Sequence, residues 1–238
     1  ENTFIASLGN SFLLNSKISK FVVNSSSKYY FSQEDSPYLI SSDGKKLILA
    51  APNYSYEENL VIDFSEIGDG AFSGATNLKS VVINAKDALI GKGAFSYCSS
   101  LTSVNFNNKG IIISSNAFEG DKALENLINL KAVKKIGSYA FKDCSALLSV
   151  TIGDNVIIDD YAFASLKITE LTLGENTIIN NYAFSSCIRL LNVNMPENGG
   201  VEINEGAFYG NTVLRTIDLS KTTNRIGNYA FYKCSALT

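Results

Sequence analysis

Eight times along this chain the dipeptide Ala-Phe recurs: Ala71-Phe72, Ala94-Phe95, Ala117-Phe118, Ala140-Phe141, Ala162-Phe163, Ala183-Phe184, Ala207-Phe208 and Ala230-Phe231. The steps are 23, 23, 23, 22, 21, 24 and 23 residues. An Ile stands four residues before each Ala, from Ile67 to Ile226. Six residues after most of the Phe, a Leu opens an L-x-x-V-x-I pattern, as in Leu78/Val81/Ile83, Leu101/Val104/Phe106, Leu147/Val150/Ile152 and Leu214/Ile217/Leu219. One such unit cannot enclose its own Phe. Stacked units set each ring against the next and build a continuous core.

The alternating, β-branched L-x-x-V-x-I segment reads as a short strand. The I-G-x-x-A-F segment, with Gly, Asn, Asp or Ser after its Ile, reads as a turn entering a short helical piece. The expected fold is therefore a repeat solenoid of leucine-rich-repeat size. Its parallel strands stack one per ~23-residue repeat, with short helical or turn segments on the other side. At ~4.8 Å per strand, eight turns make a rod roughly 40 Å long.

Residues 61–238 hold the array of about eight units, whereas residues 1–60 keep the period less well. Phe12, Ile18, Phe21 and Val23 repeat the spacing of Phe141, Leu147, Val150 and Ile152, which reads as a degenerate first turn. Two apolar runs then flank Asp43-Gly44 in YLISSDGKKLILAAP (38–52), a hairpin signal. This hairpin is expected to protrude from the stack or to cover its first open turn, as an N-terminal cap. The last unit breaks off at Leu237-Thr238. Because an open stack needs a cap, further repeats or another domain are expected beyond it. The start, ENTFIASLGN, has neither an initiator Met nor a basic-then-apolar leader and reads as a processed or trimmed chain.

The recurring pattern I-G-x-x-A-F-x-x-C-x-x-L-x-x-V-x-I resembles the BspA-like, or Treponema pallidum type, leucine-rich repeats over about residues 61–238. The hairpin, too, is similar to a segment common near the start of such arrays. The departures are Leu166 and Asn211 at the Cys position and a short fifth unit, SLKITELTL. The resemblance implies a surface or secreted protein of a host-associated bacterium or a protozoan parasite. It also implies adhesion, including attachment to host extracellular-matrix protein, and no shared catalytic residues.

Composition narrows the chemistry. The chain has no His, which removes Ser-His-Asp and Cys-His arrangements and most metal sites. Asp159-Asp160 and Glu57-Glu58 are adjacent carboxylates in turns or links and read as solvated surface. The glycines of IGDGAF (67–72) punctuate the repeat and do not form a phosphate loop. Cys98, Cys144, Cys187 and Cys234 each lie three residues after a column Phe, in units two, four, six and eight. Equivalent positions two units apart are ~9–10 Å from each other, too far for disulfides or one zinc site. The four are expected to be small buried fillers. No catalytic, cofactor or metal site is expected. The net charge of −3 gives no general attraction to nucleic acid, and no apolar run is long enough to insert in a membrane. Two Asn-x-Ser sequons, at Asn24 and Asn53, matter only in a eukaryotic secretory route.

Two surfaces are candidates for recognition. Strand residues that alternate with the core positions form a hydroxyl- and amide-rich face: Ser80, Ser103, Asn105, Asn126, Ser149, Thr151, Glu170, Thr172, Asn192, Asn194, Thr216 and Asp218. The residue before the Ala is Tyr139, Tyr161 and Tyr182 in three consecutive units and Tyr229 in the last, which predicts an aromatic ladder on another side. The expected function is a non-enzymatic recognition or adhesion module that binds a protein ligand. The alternative is a structural spacer that presents another domain of a longer protein.

Overall fold

A computed structural model describes residues 16–33 and 36–238, without the side chains of residues 223 and 224. The array is a parallel β-solenoid of about eight turns with almost no helix. Numbering the units by their Ala-Phe pairs, the eight Phe rings form one column. Successive centroids are 5.0 to 5.7 Å apart and successive planes lie within 10° of parallel. From Phe72 to Phe208 the rings are wholly buried among the Ile, Leu and Val positions of their own and adjacent units. Offset parallel stacking adds a geometric preference to the burial of each ring.

Units one to six contribute their L-x-x-V-x-I strands as expected, unit seven keeps only an isolated bridge at Thr216, and most units contribute a second strand as well. The Ile segment pairs from unit to unit in an eleven-stranded sheet, from Glu66–Ile67 through Leu89–Ile90, Ile111–Ile113, Val133–Ile136, Ile157–Ile158, Ile178–Ile179 and Val201–Ile203 to Thr222–Ile226. On the turn side, the Phe72 N–H donates to the Ala94 carbonyl at 2.6 Å and Phe95 N–H to Ala117 at 2.7 Å. The same bond recurs through Phe208 N–H and Ala230 at 2.8 Å.

Beyond its Ile, which ends a strand, the I-G-x-x-A-F segment is a turn in every unit. Its residue before the Ala has φ between +57° and +64°, at Gly70, Gly93, Asn116, Tyr139, Tyr161, Tyr182, Gly206 and Tyr229. A left-handed residue at that point stops a right-handed helix from propagating.

The hairpin covers the first turn. Tyr38–Ser41 pairs antiparallel with Lys46–Ala50, and Lys46–Ala50 pairs parallel with Glu66–Ile67. Asp43 Oδ1 accepts from the Lys45 N–H at 3.1 Å and the Ser41 hydroxyl at 2.6 Å, while Gly44 takes φ +72°. Tyr38 and Tyr56 meet Phe72 edge-on, with centroids at 6.4 and 5.7 Å, and close the column. Of the expected degenerate turn, Phe12 lies outside the described residues. Phe21 and Val23 pack with Leu39 and Leu49, apart from the main core.

The sheet of L-x-x-V-x-I strands is in two parts. Leu60–Ile62, Ser80–Ile83, Ser103–Phe106 and Asn126–Ile128 form one, and Ser149–Thr151, Glu170–Thr172 and Asn192–Asn194 the other. The break follows from unit three. Asn129 stands where other units carry Ile83, Phe106 or Ile152 and adopts φ +59°. A 3₁₀ turn over Leu130–Ala132 follows and buries Leu130 instead. The Ile-side sheet continues across this point with a bulge between Val133 and Lys135.

Candidate recognition surfaces

The broken sheet divides the predicted polar face. Ser80, Ser103, Asn105 and Asn126 lie on the four-stranded part, and Ser149, Thr151, Glu170, Thr172, Asn192 and Asn194 on the three-stranded part. Thr216 is attached by a single bridge to Asn192. Asp218 is not on the face in a strand: it caps the 3₁₀ turn Leu219–Lys221, where its carboxylate accepts from the Ser220 N–H at 3.0 Å. Much of the face is partnered internally. Asn129 Nδ2 donates to Asn105 Oδ1 at 3.0 Å, and Asn194 Nδ2 to Glu170 Oε1 at 2.7 Å and Thr172 Oγ1 at 3.2 Å.

The tyrosines form a tighter constellation. Tyr139 and Tyr161 stack at 5.1 Å and 1°, and Tyr161 and Tyr182 at 5.2 Å and 6°. Tyr229 does not continue this column, because unit seven has Gly206 at that position. The Tyr182 ring lies across Gly206 so closely that a Cβ there would be 2.3 Å from Tyr182 Cε1. From Tyr182 the strip turns to Tyr209 (5.9 Å, 56°), then Tyr232 (5.5 Å), with Tyr229 edge-on to Tyr232 at 5.8 Å. Tyr209 and Tyr232 were not singled out in the sequence, although each directly follows a column Phe in AFYG and AFYK. Lys142 Nζ lies 5.9 Å from the Tyr139 centroid, and Lys233 Nζ lies 5.4 and 5.7 Å from those of Tyr209 and Tyr232. The strip is thus aromatic and hydroxyl-bearing, with a cation near each end.

The four predicted stacked or edge tyrosines sit at the left-handed position, where Gly or Asn serves in units one, two, three and seven. A non-glycine residue there costs about 1–3 kcal/mol. Stacking of each ring on its neighbour in units four, five and six offsets part of that cost.

All four cysteines are free and buried. Each thiol donates to the carbonyl of the Phe one unit earlier: Cys98 to Phe72, Cys144 to Phe118, Cys187 to Phe163 and Cys234 to Phe208, at 3.1–3.2 Å. Burial pushes the Cys187 thiol up to about 12 and those of Cys98 and Cys144 well up, so thiolate chemistry is suppressed. A disulfide-exchange reagent at neutral pH is expected to leave these three unlabelled in the native chain and to label them fully after denaturation. Rapid native labelling of Cys144 would contradict the packing.

A model of the BspA type leucine rich repeat region matches residues 65–177 and 156–238, with 6 copies. The fold is similar to that of a T. pallidum leucine rich repeat protein (18% identity, TM-score 0.61, 84% of this chain and 98% of that one). It is similar to a leucine-rich repeat protein from Eubacterium ventriosum (21% identity, TM-score 0.59, 92% of this chain and 53% of that one). It is also similar to the pneumococcal vaccine antigen PcpA (16% identity, TM-score 0.56, 86% of this chain and 48% of that one). The chain thus spans about half the length of the last two. No curated protein matches. Among the described residues, no helix is long and apolar enough to cross a membrane.

Proposed function

Because the chain belongs to the BspA-type leucine-rich repeat family, we propose that it is a non-enzymatic recognition module, displayed at a cell surface or secreted, that binds a protein ligand through its repeat faces. The tyrosine strip is the preferred recognition surface, and host extracellular-matrix protein the preferred class of ligand. One observation carries the choice of strip: Tyr occupies a strained position that Gly or Asn fills elsewhere in the same array. Tyr also suits an interface, since it offers a rigid apolar body with a polar tip at little entropic loss. Stacking at 5.1 and 5.2 Å orders the rings before any partner arrives, which removes part of the cost of binding. The family and the likeness to a pneumococcal vaccine antigen support the surface assignment.

Tyr161→Gly combined with Tyr182→Gly tests the reading. Each change gives up stacking of about 0.5–1.5 kcal/mol per pair and relieves left-handed strain of about 1–3 kcal/mol. The two nearly cancel, so the variant is expected to unfold within about 1 kcal/mol of the wild type while capture by an array of purified matrix proteins falls at least tenfold. Charged residues at Asn126, Thr151 and Thr172 are expected to leave capture unchanged. Loss of capture in that second variant alone would move recognition to the sheet face. A wild-type chain that captures nothing from the array would favour the spacer reading instead.

A further inference from the structure

The position three residues after the column Phe is buried in every unit. Its occupants are Ala75, Cys98, Asp121, Cys144, Leu166, Cys187, Asn211 and Cys234. In the four Cys-bearing units the slot faces two backbone groups of the preceding unit, the carbonyl of its Phe and the N–H of its own slot residue, whereas Ala75 and Leu166 fill theirs with apolar side chains. The four thiols donate to the carbonyl. They also lie against the N–H of Ala75, Asp121, Leu166 and Asn211, an interaction that favours the thiolate and opposes the effect of burial. Asn211 answers the same carbonyl with its amide, donating from Nδ2 to Phe184 at 2.9 Å. Cys and Asn both supply the donor that this carbonyl takes, while Asn211 Oδ1 is buried without a partner.

An ionised carboxylate can only accept. Asp121 is completely buried, and its Oδ1 accepts from the Cys98 N–H at 2.7 Å. Its Oδ2 is buried with no partner. By the repeat, the group opposite Oδ2 is the Phe95 carbonyl, an acceptor facing an acceptor. We propose that Asp121 is held in the folded array as the neutral acid, its Oδ2–H donating to the Phe95 carbonyl, and that loss of this proton loosens units two to four as pH rises.

The surroundings agree with this. Burial drives the Asp121 pKa well above the usual carboxylate range, against the pull of the Cys98 N–H. The groups facing it are the Cys98 thiol from the unit before and the Cys144 thiol from the unit after; burial pushes both well up, and an ionised Asp121 would oppose their thiolates further, so the three groups share one uncharged pocket. Glu119 and Asp143 act on Cys144, and Glu119 is paired with Lys142 at 3.0 Å. A carboxyl whose folded pKa is raised contributes stability that is complete below the ordinary carboxylate range. That contribution is lost as pH rises through the raised folded value. An Asn amide donates at any pH, as Asn211 Nδ2 does to Phe184 in the same slot of unit seven, so Asp121→Asn supplies the donor without a titrating proton.

Two measurements on the full chain test the inference. Thermal unfolding of wild type and Asp121→Asn, followed from about pH 4 to about pH 9, is expected to give midpoints that separate as pH rises, with the variant higher by several degrees at the alkaline end. The infrared spectrum of the wild type at neutral pH is expected to show the carbonyl stretch of one protonated carboxylic acid, absent in the variant. Midpoint curves that run parallel, or a missing acid band at neutral pH, would overturn the proposal. The infrared measurement needs only the wild-type chain, so it decides the matter even if the variant fails to fold.

Discussion

Phe141→Ala is expected to remove about 4 kcal/mol of stability and to split unfolding into two steps. The Phe141 ring is fully buried in mid-column, 5.2 Å from Phe118 and 5.0 Å from Phe163. Its removal forfeits the burial of the side chain, leaves a cavity and ends two stacked contacts at once. In a solenoid each unit touches its neighbours alone, so cooperativity passes through these interfaces and nowhere else. A gap at unit four therefore weakens the coupling between units one to three and units five to eight. Phe141→Leu keeps most of the volume and is expected to cost about 1.5 kcal/mol without splitting the transition. Phe231→Ala, in the partly buried last unit, is expected to cost less than half as much as Phe141→Ala. Urea unfolding followed by circular dichroism distinguishes these outcomes. A single, barely shifted transition for Phe141→Ala would mean that the column does not carry the coupling.

The second large effect comes from a glycine whose φ is unexceptional. At Gly174 a Cβ would lie 2.2 Å from the Gly153 carbonyl carbon and 2.5 Å from the Asp154 nitrogen. Gly153 is in turn pressed on Lys131, with its own Cβ position 2.3 Å from the Lys131 oxygen. These obstacles are backbone, and no rotamer change moves them. Gly174→Ala is therefore expected to spread units four and five apart locally, at a cost of about 3 kcal/mol, the upper end of ordinary overpacking. Gly44→Ala is the comparison: the hairpin tip has nothing within 4 Å of its Cβ position, so only the φ of +72° is penalised. It is expected to cost about 1 kcal/mol. Equal losses at the two sites, measured by thermal unfolding, would contradict close contact between successive backbones at Gly174.

The column was legible because a fixed spacing of large buried residues has one physical solution, and the Ala-Phe period names its rings directly. The hairpin was legible from Asp43-Gly44. Other features were hidden for identifiable reasons. The Ile-side strands are often two residues long, as at Ile157–Ile158, too short for alternation to register. The turn character of I-G-x-x-A-F depends on a left-handed residue, and three consecutive tyrosines disguise a position that Gly70 and Gly93 announce openly. The break in the second sheet rests on one polar residue, Asn129, at a core position. Its consequence is that the polar face is two patches, with Asp218 spent on a cap. The slot's need for a hydrogen-bond donor is likewise visible only once the Phe184 carbonyl is seen beside Asn211 Nδ2 and the Phe carbonyls beside the thiols.

Native-state hydrogen exchange of the column Phe amides tests the stacked spine most directly, since each N–H from Phe72 to Phe208 donates to the Ala carbonyl of the next unit. The account predicts that Phe118, Phe141 and Phe163 are the slowest, close to the limit set by global unfolding, with protection falling toward both ends of the array. Fast, uniform exchange at these amides, or protection unrelated to position in the stack, would contradict it.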